Sequence, residues 1–132
     1  MSLENVELVR RMQEAFLSSD PDLALAFFAS DVEWDVRDRP GGKVWHGPSG
    51  VRRAMVEWSE VWEEWQVETE RFLEAGEDTV LILWRERGRG KGSGIPMEQR
   101  GGILVTVDEG RIVRGRVYTN QQAALKAAEL EE

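Results

Sequence analysis

The sequence QVETERFLEAGEDTVLILWRERGRGKGSGIPMEQRGGILVTVDEGRIVRGRVYT, residues 66–119, alternates apolar and polar residues through four segments. Turn-forming runs at Ala75–Asp78, Gly88–Gly94 and Asp108–Gly110 separate these segments. A period of two is typical of strands that bury one face, and consecutive strands joined by short turns pair in an antiparallel manner. This stretch therefore predicts four strands of an antiparallel sheet.

Two helices are predicted near the start of the chain. Apolar residues recur at helical spacing between Val6 and Phe16, with charged residues on the opposite side. Ser19-Asp20-Pro21 then has the chemistry of a helix end and a new start, because Asp20 can cap a helix and Pro21 suits its first position. A short second helix is expected directly afterwards.

A strand hairpin and a third helix are predicted before the sheet. Residues 31–37 and 44–47 are extended segments on either side of a turn. Trp58, Trp62 and Trp65 follow at steps of three or four residues. This spacing predicts three indoles on one face of a third helix.

The order of these elements favours an α+β fold in which helices pack on one face of the sheet. Asn120 can cap a last short helix, which we expect to fray between Glu129 and Glu132. The sequence contains no internal repeat and no linker-like stretch. One domain over residues 1–132 is therefore expected.

Charge and composition exclude several classes of function. The formal net charge of -8 disfavours binding to nucleic acid or to an anionic membrane surface. The absence of cysteine and the presence of one histidine exclude a disulfide, a thiol nucleophile and a His/Cys metal cage, so we expect neither a metal nor another cofactor. Met1–Asn5 lacks the features of a signal peptide and no segment is long enough to span a bilayer, which favours the cytoplasm.

Three motifs carry a resemblance to a known family: FFASDVEW at residues 27–34, HGPSGVR at 46–52, and DEGRIVR at 108–114 followed by Tyr118. In this order and spacing they resemble the SnoaL-like branch of the nuclear transport factor 2 superfamily, over nearly the whole chain. The resemblance implies a cone-shaped domain whose strongly curved antiparallel sheet encloses a deep pocket, frequently as a homodimer packed through the sheet. The family includes ketosteroid isomerases, polyketide cyclases, dehydratases and noncatalytic transport factors, so the fold alone does not choose a function.

The catalytic residues of ketosteroid isomerase do not carry over to this chain. By the resemblance, the position of the carboxylate base falls on Val36 and that of the tyrosine on Met12. Neither side chain can perform the corresponding step. Steroid isomerisation is therefore not expected.

Glu86 is the first candidate for acid or base chemistry. It shares a strand face with Ile82 and Trp84, the face expected to line the pocket. A carboxylate in that position is desolvated and can serve as a general acid or base. The alternative is that the strand has left the core at this point and that Glu86 pairs with Arg85 or Arg87 at the surface.

Asp35 and His46 are two further catalytic candidates. Asp35 lies beside Glu33 and Arg37 on the polar face of its strand, and only a bulge would turn it inward. His46 is the one side chain that ionises near neutral pH without perturbation. Its place before the third helix also fits a structural role at the helix entry.

A larger set of side chains is expected to contact a ligand. Six tryptophans are many for 132 residues, and aromatic side chains are typical of small-molecule pockets. Core packing also explains Trp34 and Trp65, and contact with a partner subunit also explains Tyr118. The candidate ligand contacts are Met12, Phe16, Trp34, Met55, Trp58, Trp62, Trp84, Gln99, Arg100 and Tyr118.

Two classes of function remain. In the first, the domain is a cofactor-free isomerase, cyclase or dehydratase that moves a proton next to the carbonyl group of a hydrophobic compound. In the second, it binds a hydrophobic ligand, or another copy of itself, without chemistry. A carboxylate inside the cavity with a donor across from it favours the enzyme, and a wholly apolar cavity favours binding.

Overall fold

Six strands form one curved sheet in the computed structural model, which describes residues 2–18 and 20–129. The strands are β1 (Phe28–Asp35), β2 (Val44–His46), β3 (Trp62–Glu74), β4 (Thr79–Gly90), β5 (Pro96–Asp108) and β6 (Arg111–Tyr118). The helices are α1 (Ser2–Phe16), a 3-10 helix (Pro21–Phe27), α2 (Gly47–Glu60) and α3 (Gln121–Ala127). None of these helices, in the ranges just given, combines the length and the apolar character needed to cross a membrane. Ser19 of the predicted helix break and the predicted frayed end at 130–132 lie outside the described residues.

The α+β class predicted from the sequence is confirmed, and the strand order is β2-β1-β6-β5-β4-β3. The four strands from β3 to β6 form the predicted antiparallel meander, and β1 and β2 form the predicted hairpin. The pairing of β1 with β6 is parallel. It arises because the chain crosses from β2 through α2 to the opposite edge of the sheet, so that the meander returns to β1 from the other side.

The helix α2 ends earlier than the tryptophan spacing predicts. It stops at Glu60, so Trp62 and Trp65 lie on β3 and only Trp58 is helical. A bulge between Glu63 and Gln66 shifts the register of β3. Because a bulge adds one residue, two tryptophans three positions apart can point to the same side of a strand, which imitates helical spacing.

Alternate residues of β4 point to two separate apolar clusters. Ile82 and Trp84 face the concave side of the sheet, where they belong to the main core together with residues of α1, the 3-10 helix and α2. Leu81 and Leu83 point to the convex side and pack against Leu125 of α3. Three helices therefore cover the concave face, as predicted, and the short α3 covers part of the other face.

Gly115 of β6 is expected to be intolerant of a side chain. It is paired with Trp34 of β1, and an added Cβ atom would overlap the six-membered ring of that indole. We predict that Gly115→Ala lowers the free energy of unfolding by about 1–3 kcal/mol, because the buried ring must move. Urea denaturation measures this change. Arg114→Ala, at an exposed position of the same strand, is the control and should stay within about 0.5 kcal/mol of wild type; a similar loss in both variants would contradict the packing argument.

Candidate functional site

A cavity of about 300 Å³ lies between the concave face of the sheet and the helices α1 and α2. Most of its wall is apolar or aromatic, with a few polar side chains among them, which is the usual composition of a small-molecule site. Part of the predicted set of ligand contacts meets in this wall. Those residues are Met12, Phe16, Trp34, Met55, Trp58 and Trp84.

Glu86 is a carboxylate of β4 that lines the cavity and is 2% exposed. The indole N–H groups of Trp58 and Trp65 donate hydrogen bonds to its Oε2, at 3.2 and 2.8 Å. The amide of Gln99 donates to its Oε1 at 2.5 Å. A carboxylate can accept about four hydrogen bonds, so within the described part of the chain one acceptor position of Oε1 has no donor.

The strand register explains why Glu86 faces inward. Trp84 and Glu86 share a face of β4, and Gln99 of β5 stands directly opposite Glu86. The neighbouring Arg85 points to the other face, where it pairs with Glu98 at 3.0 Å. Glu86 is therefore buried, and it does not form the alternative surface ion pair with Arg85.

Trp65 is a site residue that sequence reasoning assigned to core packing. It lines the cavity and makes the shorter of the two indole hydrogen bonds to Glu86. Its counterpart Trp62, which was predicted to contact a ligand, lies behind the wall and packs edge-on against Trp58, with 5.3 Å between ring centroids. The bulge in β3 decides which indole reaches the cavity, and the sequence gives no clear sign of that bulge.

Arg39 is a second charged group of the cavity wall, and sequence reasoning missed it. It lies in the turn between β1 and β2, where the neighbouring residues indicated only turn chemistry. Its guanidinium stacks over Trp58, 4.3 Å from the ring centroid. Burial lowers the pKa of Arg39 to about 10, an effect that the negative charge of Glu86 partly offsets, so the side chain remains a cation at neutral pH.

An ion pair also lies in the wall of the cavity. Arg52 of α2 donates to Asp22 of the 3-10 helix at 2.8 Å, and both side chains are more than half exposed. Asp22 is thus already paired with Arg52 at the solvent-exposed edge of the cavity. Among the described residues that line the cavity, Glu86 is the carboxylate that lies deep in the interior.

The structure places Asp35 and His46 outside the cavity. Asp35 points to the convex face, where the guanidinium of Arg37 donates to both carboxylate oxygens at 3.0 and 2.8 Å. His46 is exposed at the start of α2 and makes no capping hydrogen bond with its side chain. In both cases the regular alternation of the strand, without a bulge at that position, keeps the side chain away from the interior.

Three other predicted contacts also lie outside the cavity wall. Gln99 faces inward but acts on Glu86, as described above. Arg100 points to the convex face and pairs with Glu70 at 2.9 Å. Tyr118 lies on the same convex face. It pairs with Gly102, which precedes the inward-facing Ile103 on β5 and therefore faces the other way.

The chain belongs to the SnoaL-like domain family, whose sequence pattern matches residues 9–115. The family predicted from the sequence motifs is therefore confirmed. The match begins within α1, ends within β6, and includes Arg39, Trp58, Trp65 and Glu86. No protein with a curated description matches the chain.

Solved structures share the fold at low sequence identity. A nuclear transport factor 2-like protein of Burkholderia thailandensis superposes with a TM-score of 0.80 at 23% identity, over 96% of this chain and 98% of that one. A protein of Xanthomonas campestris, described as a proposed polyketide cyclase, gives a TM-score of 0.72 at 22% identity. The alignment covers 96% of this chain and 98% of that one. TerC, crystallised with polyporic acid, gives 0.76 at 18% identity, again over 96% and 98% of the two chains.

The hydrogen bond from Trp65 to Glu86 can be tested against a matched indole on the same strand. Trp65→Phe keeps an aromatic ring but removes the N–H that bonds to the buried carboxylate. Trp62→Phe removes an indole nitrogen that has no hydrogen-bond partner within the described residues. We predict that Trp65→Phe loses about 1–3 kcal/mol more unfolding free energy than Trp62→Phe in urea denaturation, because only the first change leaves a charged acceptor underbonded. Equal losses would contradict this assignment.

Asp35 should make the free energy of unfolding depend on pH in the acid range. The hydrogen bond from Arg37 holds the pKa of Asp35 below its ordinary value of 3.8. A carboxyl group whose pKa is lowered in the folded state stabilises the protein above the unfolded pKa and loses that effect as the pH falls through the folded pKa. We predict that Asp35→Asn is about 0.5–2 kcal/mol less stable than wild type at pH 7 and that the difference shrinks below a pH of about 4. Urea denaturation at several pH values measures it, and a difference that does not vary with pH would contradict the ionic origin.

Proposed function

We propose that the cavity binds a flat, hydrophobic carbonyl compound and that Glu86 moves a proton at the carbon next to the carbonyl group. The protein is then a cofactor-free isomerase, cyclase or dehydratase. The position of Glu86 supports this proposal most directly, because it is a carboxylate inside an aromatic cavity with one acceptor position still available. General bases act from such positions when the substrate proton comes within hydrogen-bond reach.

The proposed step begins when an oxygen of Glu86 takes a proton from the carbon next to the carbonyl group. The electrons of the broken C–H bond move into the carbonyl system and form an enolate, and Glu86 becomes a neutral acid. Glu86 then returns its proton in one of three ways. Return to the far carbon of a C=C bond conjugated with the enolate gives isomerisation. Return to the alkoxide formed when the enolate attacks a second carbonyl gives cyclisation, and return to a β-hydroxyl group that leaves as water gives dehydration. The donors Trp58, Trp65 and Gln99 hold the carboxylate in one orientation for this step.

The structural relatives support a small molecule as the ligand. TerC was crystallised with polyporic acid, and the Xanthomonas campestris protein is described as a proposed polyketide cyclase. Both share the fold over nearly the full length of this chain. The cavity volume of about 300 Å³ is at the lower end of the range for small-molecule sites, which favours a compact ligand.

Noncatalytic binding is the second candidate function. The observation in its favour is that three donors already bond to Glu86, which stabilises the carboxylate in the resting protein.

The homodimer predicted through the sheet remains a prediction. It would use the convex face, on which Arg100 and Tyr118 lie.

Glu86→Gln tests the proposed enzyme directly. The probe is 2-tetralone, a flat ketone with acidic C–H groups, in D₂O, and NMR measures the loss of the proton signals next to the carbonyl group. We predict that wild type accelerates this exchange and that Glu86→Gln slows the catalysed rate by about 100-fold or more, because an amide cannot accept the proton.

Glu98→Gln provides the matched control for that experiment. Glu98 is an exposed carboxylate of β5, next to Gln99 in sequence, and its loss should leave the exchange rate unchanged. An equal rate in wild type and Glu86→Gln would remove Glu86 as the base. Binding of the ketone, detected by tryptophan fluorescence, without any acceleration by wild type would favour noncatalytic binding instead.

A further inference from the structure

Arg39 is held in place by the backbone of its own turn. Its N–H donates to the carbonyl of Val36 at 3.0 Å, and its carbonyl accepts from the N–H of Gly42 at 2.8 Å. Asp38 fastens the same turn to the end of β6, because its carboxylate accepts from both the backbone N–H and the hydroxyl of Thr119, at 2.8 and 2.9 Å. The guanidinium is therefore aimed at the cavity by a bonded turn and does not depend on a ligand for its position.

The guanidinium of Arg39 has donor capacity that the protein does not use. Its Nε atom is buried and has no hydrogen-bond partner among the described residues. A buried, unpaired N–H of a charged group is costly to the folded state. Arg39 also keeps its charge at neutral pH, as shown above.

The carboxylates of the cavity do not neutralise Arg39 by direct contact. Glu86 accepts hydrogen bonds from Trp58, Trp65 and Gln99, and it attracts Arg39 only through space. Asp22 is paired with Arg52. The cation is thus available to a further acceptor inside the cavity.

We propose that Arg39 binds an ionised acidic oxygen of the ligand, so that the preferred ligands are flat hydrophobic acids. The guanidinium lies over the ring of Trp58, which also lines the cavity. The same indole can therefore contact the flat part of such a ligand while Arg39 binds its acidic oxygen. A guanidinium gains most from a carboxylate or similar anion, because hydrogen bonds between charged partners are roughly twice as strong as neutral ones. This inference rests on the proposed use of the cavity as a small-molecule site and adds the charge of the substrate.

The test compares 2-naphthoate with 2-naphthamide, two flat probes of nearly the same shape that differ in charge. Quenching of tryptophan fluorescence gives the two dissociation constants. We expect wild type to bind 2-naphthoate about 10- to 100-fold more tightly than the amide. Arg39→Gln should lose this preference while its affinity for the amide changes by less than about threefold, and Arg39→Lys should keep part of the preference because it keeps the charge.

Arg53→Gln is the control for general electrostatics. Arg53 is an exposed residue of α2 outside the cavity wall, and its removal changes the net charge by the same amount. It should leave the preference for 2-naphthoate unchanged. Thermal unfolding of each variant checks that the fold is retained, and Arg39→Lys supplies the comparison if Arg39→Gln does not fold.

Two outcomes would overturn the assignment of Arg39. These are equal affinity of wild type for both probes, and a preference for 2-naphthoate that survives in Arg39→Gln. If both probes bind without preference, only the role of Arg39 fails and the cavity remains a small-molecule site. If neither probe binds, the proposed use of the cavity fails as well.

Discussion

Three N–H donors from three different elements converge on the buried carboxylate of Glu86. Trp58 comes from α2, Trp65 from β3 and Gln99 from β5, while Glu86 itself belongs to β4. A buried carboxylate without such partners would cost several kcal/mol. The interior is therefore stable only when α2 is docked on the sheet and when β3 and β5 are in register with β4.

Glycines opposite the indoles help to keep this interior hollow. Trp34 pairs with Gly115, and Trp84 pairs with Gly101. Because glycine has no Cβ atom, each indole can lie close to the neighbouring strand instead of standing across the interior. At Gly101, an added Cβ atom would lie 3.2 Å from Nε1 of Trp84, so the ring already occupies that space.

The two faces of the sheet divide the charged residues into two roles. On the concave side, Glu86 is buried and Arg39 is half-buried with its Nε atom inside, and both lie next to aromatic rings. Their charges act strongly there because the surroundings are poorly polarisable. On the convex side, pairs such as Arg100 with Glu70 and Arg85 with Glu98 are partly exposed. Such surface pairs contribute little stability and are screened by salt.

The alternation of apolar and polar residues by itself determined the fold class and placed Glu86 on the same strand face as Ile82 and Trp84. Strand parity is a local property, so Ile82, Trp84 and Glu86 had to share one face wherever the strand was placed. The same local rule placed Asp35 on the polar face. The three sequence motifs predicted the family, and the family pattern that matches residues 9–115 confirms it.

Only the tertiary structure decided which partners Glu86 and Arg39 meet. The hydrogen bond from Trp65 depends on the bulge between Glu63 and Gln66, and a bulge has little signature in the sequence when no glycine marks it. The approach of Arg39 to Trp58 joins a turn after β1 to a residue of α2 that lies 19 positions later, and the docking of α2 on the sheet sets this contact. Local pattern specifies the direction of each side chain, whereas long-range packing specifies what lies in that direction.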